Sequence, residues 1–389
     1  MHSRSYVLPF LAAIVLAAPA HAADGGQFVI RLGRDTVSVE RYERTPGQVV
    51  VHQVGRSPRV LNRSFTYDYA GESLTHLSSV VTAPGVETPV QTLETTVGPD
   101  SLRLHVQSAQ GSQAFAIALP PGALVVPSSS PWVGYESAFM RLAAGKADSL
   151  RGTLYFLGAG ATDWFVVRRV GSDSVLLATS HQDVFRAHVD ATGHLLGMRP
   201  ISGTGKFSVE RVTGLDLDAM AAAFSAEEHA GSGLGTLSPR DTVKAAVGGG
   251  ANLWIDYGRP ALRGRTAFGG VVPWGEVWRT GANAATQFRT DRALEFANGV
   301  RVPAGFYTLW SLPTPDGWNL IVNGQTGQWG TQHDPAKDLY TIALERSDLP
   351  EAVERFTIGF EPTTAGGALH LDWDRTRGSA AFTVRPQAP

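Results

Sequence analysis

The chain of 389 residues contains no cysteine. That excludes disulfides, thiolate nucleophiles, cysteine-ligated metals and the acylated cysteine of a bacterial lipoprotein. A charge excess is missing too: a formal net charge of −2 offers no broad field for nucleic acid or anionic lipid. After residue 22 no segment approaches the ~18 uninterrupted apolar residues that a membrane helix requires. No phosphate-cradling glycine loop, zinc-ligand spacing or nucleophile–base pair stands out. No cofactor or metal is expected, and stability has to come from core burial alone.

What is present begins with an export signal. Residues 1–22 carry Arg4 in a short polar start, an apolar run from Val7 to Ala18, and Ala20-His21-Ala22 as a small-x-small cleavage site. The chain is therefore expected to be exported, to the periplasm or outside. The length that remains predicts two domains. Residues 23–213 are dominated by period-two runs such as Thr36-Val37-Ser38-Val39-Glu40-Arg41 and Phe185-Arg186-Ala187-His188-Val189, punctuated by Gly, Pro, Asp and Ser. They predict an antiparallel meander, either a curved sheet or a partial barrel, with one helix-compatible patch over Tyr135–Ala147. The tetrapeptide Ser-Val-Glu-Arg occurs at 38–41 and again at 208–211, a match short enough for coincidence.

Residues 214–236 predict a helix followed by a flexible linker. Leu217, Met220, Ala221 and Phe224 recur at helical spacing, and Ala230-Gly231-Ser232-Gly233 ends the pattern. In residues 237–385 alternation returns with larger side chains: Trp318/Leu320/Val322, Tyr340/Ile342/Leu344, Phe356/Ile358/Phe360 and Leu369/Leu371/Trp373 each share one face. Asp316-Gly317 predicts the turn of a hairpin between 306–312 and 318–323. Eight or nine short strands of this kind predict an antiparallel β-sandwich or jelly-roll, so the fold class is mainly β.

Within this second part, a series of blocks occurs in a fixed order: Tyr257-Gly258-Arg259-Pro260, Arg263-Gly264-Arg265, Phe268-Gly269-Gly270, Trp278-Arg279-Thr280-Gly281-Ala282-Asn283, Val302-Pro303-Ala304-Gly305-Phe306-Tyr307 and Gln328-Trp329-Gly330-Thr331. The series resembles the bacterial family known as domain of unknown function 2911, over about residues 237–384. Family members are generally envelope or secreted proteins, which the resemblance extends to this chain as an expectation. The family carries no established activity, so no catalytic residue transfers. Members often have an acidic residue after the Asn, where this chain has Ala284.

The candidate ligand surface is Arg259, Arg263, Arg265, Arg279, Asn283, Trp329 and His333. Arginines in glycine- and proline-rich loops present planar forks to carboxylate or phosphate. The competing expectation is that Arg279 pairs with Glu276 or Asp338 and fastens loops. Asn283 is expected to order the turn that follows Trp278-Arg279. Seven of the nine tryptophans fall in this part; Trp318 and Trp373 read as core, while Trp274 and Trp329 sit in loop-like sequence that favours partial exposure. His333 with Asp334 or Asp338 is the one local group from which a general base can be drawn. The alternating His370, Asp372 and Asp374, and the scattered His181, Asp183, His188, Asp190 and His194, read as solvated sheet faces and turns.

These observations favour a non-catalytic binding or accessory module for an anionic small molecule or glycan. A metal-independent hydrolase built on His333, or a lipid carrier built on the N-terminal sheet, are the alternatives.

Overall fold

A computed structural model describes residues 24–71, 73–127, 132–157, 161–179, 183–203, 205–315 and 317–385. The predicted export signal, His181 and the turn residue Asp316 lie outside the described residues. Among the described residues there are two sheets, of 15 and 9 strands, and two α-helices.

The first sheet is organised about its earliest strand. Asp24–Leu32 pairs on one side with Asp35–Thr45 and on the other with Phe207–Val212. From the first partner a meander runs outward in chain order to the edge strand Gly111–Ala118; from the second it runs back to the opposite edge, Leu124–Pro127. All neighbours are antiparallel except Leu124–Pro127 with Ser149–Leu157. Residues 119–123 alone connect the two edges. Laid flat at ~4.8 Å per strand, edges fourteen spacings apart would be about 65 Å from each other. Five residues span only about 20 Å. The sheet must therefore roll, although its edge strands do not pair and no barrel closes.

The concave face is filled by helix α1, Glu136–Ala144, entered through a 3-10 turn at Trp132–Tyr135. Ala138, Phe139 and Leu142 of α1 join one continuous core with Phe28, Tyr67, Leu102, Leu154, Phe165 and Leu195 from both meanders. Two acids lie in this interior. Glu136 is paired with Arg44 and accepts the Leu195 amide at 2.8 Å. Glu40 accepts the Trp132 amide at 3.0 Å and the Gln53 amide at 3.3 Å, which ties the entry of α1 to the sheet. Burial pushes the Glu40 carboxyl up to about 8, against the lowering effect of those hydrogen bonds.

The repeated Ser-Val-Glu-Arg now has a structural meaning. Both copies flank the same central strand, with Val29 opposite Val39 on one side and Glu210 on the other. The copies are offset by one residue, so Glu40 points into the core and Glu210 to solvent.

Helix α2, Leu217–His229, forms where its periodicity predicts. Asp216 caps it by accepting the Ala219 amide at 3.0 Å. Leu217, Ala221 and Phe224 pack on Val29, Val39, Val54 and Val60, the residues that α1 does not cover. Arg56 lies 4.3 Å over the Phe224 ring and pairs with Glu227.

In the second sheet the predicted hairpin is Gly305–Pro313 with Trp318–Asn323. The predicted short strands differ from what forms. Asp338–Pro362 is one 25-residue strand and Gly366–Val384 one of 19 residues. The first pairs with Trp318–Asn323 at its start and with the second along its length, shifting register between Asp348 and Thr357. The stretch Glu345–Glu354 is charged and mostly exposed, and the strand runs on through it across the register shift despite Ser347, Asp348 and Pro350. Trp318, Phe356, Trp373 and Phe268 form an aromatic centre, with Trp278 stacked on Trp373 at 5.7 Å and Phe268 edge-on to Trp318 at 4.7 Å. Asp372, read as solvated, is instead buried beneath Arg377, which donates to it twice at 2.8 Å. Burial raises this carboxyl, but His370 and Arg377 outweigh it and hold it near 2.

Glu40 generates a pH prediction. Its folded-state value lies above the unfolded value of 4.5, so the folded chain holds a proton that the unfolded chain has released across the window from 4.5 to about 8. Stability is full below that window and falls as pH rises through it. Glu40→Gln should abolish the fall, and by about pH 9 should exceed the wild type by on the order of 5 kcal/mol in urea unfolding.

Candidate functional site

Residues 278–286 make the floor of the site. Trp278 exchanges two backbone hydrogen bonds with Ser311, each 2.8 Å, and the Gly330 amide donates to Asn283 at 3.0 Å. Between these fixed ends the backbone takes left-handed conformations at Thr280 (φ 50°) and Asn283 (φ 62°). Asn tolerates that region; a β-branched Thr does so at a cost. Thr280 is held there because its carbonyl accepts the Thr286 hydroxyl at 2.8 Å and its own hydroxyl meets Ser311 at 3.2 Å. The result aims Arg279 into a cavity of about 190 Å³ whose lining includes Arg265, Lys206, Glu276, Trp278, Asn283 and Trp329.

Arg279 is only 6% exposed. Its one hydrogen bond among the described residues is from Nη1 to the Asn283 carbonyl at 3.2 Å, and no acid lies within ion-pairing distance. The expected pairing with Glu276 or Asp338 does not occur: Asp338 accepts from Asn323 at 2.7 Å and from His333 at 2.9 Å. Burial pushes the Arg279 guanidinium down to about 10, with the Asp183 carboxylate opposing, so the group stays charged at neutral pH. Arg265 caps the carbonyls of Leu262 and Ala261 at 2.8 and 2.7 Å, and has no acid in ion-pairing distance either. Its basicity is lowered by burial and by neighbouring Arg263. Lys206 is lowered by burial, with Asp183 and Glu276 opposing and Arg265 adding to the effect. Three cations therefore face one small hollow whose nearest acid on the lining is Glu276.

The predicted surface thus divides. Arg265, Arg279, Asn283 and Trp329 converge on the cavity, and Trp329, 45% exposed, forms a wall open to solvent. Arg259, Arg263 and His333 do not. Arg259 fastens strands, donating to Asp241, the Phe356 carbonyl and Thr357 at 2.9–3.2 Å. Arg263 fastens the two sheets: its guanidinium pairs with Asp35 and its carbonyl accepts the Arg34 amide at 2.9 Å. Gly33 is needed there because a Cβ would stand 2.2 Å from that carbonyl. His333 packs on Trp310 at 4.7 Å and faces Asp338, while Asp334 caps the short 3-10 turn Pro335–Lys337.

Lys206 and Gly203 lie in the connection between the strands Leu195–Ser202 and Phe207–Val212, and only the docking of the two sheets brings them to the arginine loops, so no local motif marks them. No group of three or more potential ligands able to hold a metal occurs among the described residues.

Residues 238–382 match the family described as protein of unknown function, DUF2911, as the ordered blocks imply. No curated protein matches. Among solved structures, the chain is similar to a beta-barrel-like protein of domain of unknown function DUF1849 from Brucella abortus, at 10% identity and a TM-score of 0.34, covering 49% of this chain and 94% of that one. A weaker similarity is to botulinum neurotoxin type C, whose cell entry depends upon interaction with two ganglioside molecules, at 9% identity and a TM-score of 0.12, covering 94% and 89%. Likenesses at these TM-scores carry no argument about function here.

Gly330 tests the clamp on Arg279. A Cβ at this position would stand 2.4 Å from Arg279 Cδ and 2.4 Å from the Asn283 carbonyl. Gly330→Ala should cost about 1–3 kcal/mol in a denaturant titration. Gly330 lies in the turn that the Gln332 amide closes on the Trp329 carbonyl, but it has no positive φ that an alanine would strain, so an unchanged midpoint would contradict the clamp.

Proposed function

We propose that this chain is an exported bacterial envelope protein that binds, without transforming it, a small anionic ligand in the Arg279 cleft. One observation carries the reading: a buried guanidinium with no carboxylate in ion-pairing distance, opposed only through space by Asp183, opens onto a cavity that two further cations share. A buried charge without a counter-ion is costly, and an entering anion supplies one. The binding free energy then includes relief of that cost, which gives the site a preference for anions over neutral isosteres.

The size of the cleft narrows the class. At about 190 Å³ it is smaller than the ~300–1,000 Å³ usual for whole-ligand pockets. It suits one carboxylate- or phosphate-bearing head, with the rest of the ligand lying against the open Trp329 indole. An acidic sugar meets both demands, since its carboxylate reaches Arg279 and its apolar ring face stacks on an aromatic wall. Glu276 at the lining disfavours a second negative charge. The two-domain division at 23–213 and 237–385, with a sandwich-like second domain, belongs to the same reading: the cleft then lies where the domains meet, a preferred place for small-molecule sites. The hydrolase alternative draws less support, because His333 and Asp338 are engaged with Trp310 and Asn323 away from the cavity.

Calorimetric titration with glucuronate, galacturonate, citrate and phosphate tests the proposal. A uronate should bind, and Arg279→Gln should weaken it by about tenfold or more, equivalent to about 1.4 kcal/mol or more. Trp329→Ala should weaken the uronates but spare phosphate. Arg279→Gln should leave thermal stability intact or raised, since it removes an unpaired buried charge. A folded Arg279→Gln variant that binds as the wild type does, or a wild type that binds none of the four, would sink the reading.

A further inference from the structure

A second cavity lies in the first sheet and shares no residue with the Arg279 cleft. It occupies about 490 Å³ between α1 and the ends of the strands Asp35–Thr45, Gln48–Gly55 and Leu61–Ala70. Val49, Tyr67, Val133, Met140 and Ala143 give it a largely apolar wall. That volume falls within the range of complete ligand pockets. Ala138, Phe139 and Leu142 of α1 pack the core beside it, and this space is left unfilled where the rolled sheet meets α1.

One polar side chain on the lining lacks a partner. Tyr67 is 2% exposed, and its hydroxyl is buried with no hydrogen bond. Arg44 beside it is engaged on every side: Nη2 pairs with Glu136, Nη1 donates to the Met140 sulfur at 3.5 Å, and Nε faces the Asp24 carboxylate at 3.9 Å. Buried donors are almost always satisfied, by protein, water or ligand. Burial holds the Tyr67 phenol well above its ordinary range, so it stays protonated and can only be satisfied fully by an acceptor.

The charge on this wall decides what kind of acceptor. Arg44 is already neutralised by the fully buried Glu136, with Asp24 a second acid 3.9 Å from its Nε, and Arg141, the other cation on the lining, donates to the Gly122 carbonyl at 3.1 Å. A ligand carboxylate beside Arg44 and its two acids would add a third negative charge there. A neutral carbonyl takes the donated hydrogen bond without adding one. We infer that this cavity binds an apolar, acyl-chain-sized molecule ending in a neutral hydrogen-bond acceptor, an ester, amide or ketone, which receives the Tyr67 hydroxyl and lies beside Arg44. The chain of the ligand runs along Val49, Val133, Met140 and Ala143, where burial of its methylenes supplies the affinity.

The test uses the purified full chain with the neutral fluorophore N-phenyl-1-naphthylamine, displaced by methyl laurate, laurate or dodecane. The wild type should take up the fluorophore, and methyl laurate should displace it at lower concentration than either competitor. Tyr67→Phe removes one oxygen. It should weaken methyl laurate about fivefold, the loss of one ordinary hydrogen bond, and leave dodecane unchanged. The same variant should not lower the melting temperature of the ligand-free protein, because the hydroxyl it removes has no partner there. Ala143→Trp fills the cavity from α1 and should abolish uptake; its folding is checked by circular dichroism, and if it fails to fold the Tyr67→Phe result decides. No uptake by the wild type, preference for laurate over its ester, equal effects of Tyr67→Phe on all competitors, or normal uptake by a folded Ala143→Trp would each overturn the inference.

Discussion

The five residues that join the two edges of the fifteen-stranded sheet impose the shape on which the rest of the molecule depends. Because so short a segment cannot cross a flat sheet of that width, the sheet rolls. A rolled sheet has an interior that its own strands do not fill, and α1 enters it. The entry of that helix requires backbone donors and acceptors to be met inside the core, which is where Glu40 and Glu136 act. Those two acids are therefore consequences of the geometry: each supplies an acceptor to an amide that the sheet ladder cannot reach.

The arginines of the second part show how one residue type is divided among jobs by its surroundings. Arg259 is met by an acid and by strand carbonyls, Arg263 by Asp35 across the junction of the two sheets. Both are spent on holding elements together. Arg265 and Arg279 are met by carbonyls alone, and their charge is left to the cavity. The difference lies in whether a carboxylate arrives within reach, from the paired neighbouring strand for Arg259 and across the junction of the sheets for Arg263.

That contrast also marks how far the amino-acid order could be read. Strand and helix types were legible because burial on one face imposes period two or period 3.6, as with Trp318/Leu320/Val322 and Leu217/Ala221/Phe224. The exposed Trp329 and the buried Trp318 were separable by their flanking glycines or alternation. The two Ser-Val-Glu-Arg copies were not: only pairing register, displaced by one residue, sends one glutamate inward and the other outward. The continuous strand Asp338–Pro362 was hidden because a register shift leaves no compositional mark. Lys206 was hidden from the site for a different reason, since Arg265 and Arg279, which share its cavity, come more than fifty positions further along the chain.

The place of Asp24–Leu32 has a consequence for how the chain acquires its structure. This strand is the seam between the two meanders, and one side of it is zipped only when Phe207–Val212 returns. The Gln27 side chain receives the Leu215 amide from 188 positions away. Closing a loop of that length precedes any reward from the contacts it permits, which is the signature of slow assembly. Until the return strand arrives, the nascent N-terminal meander carries an unpaired edge at its very first strand, at the moment when it is most exposed to pairing with something else.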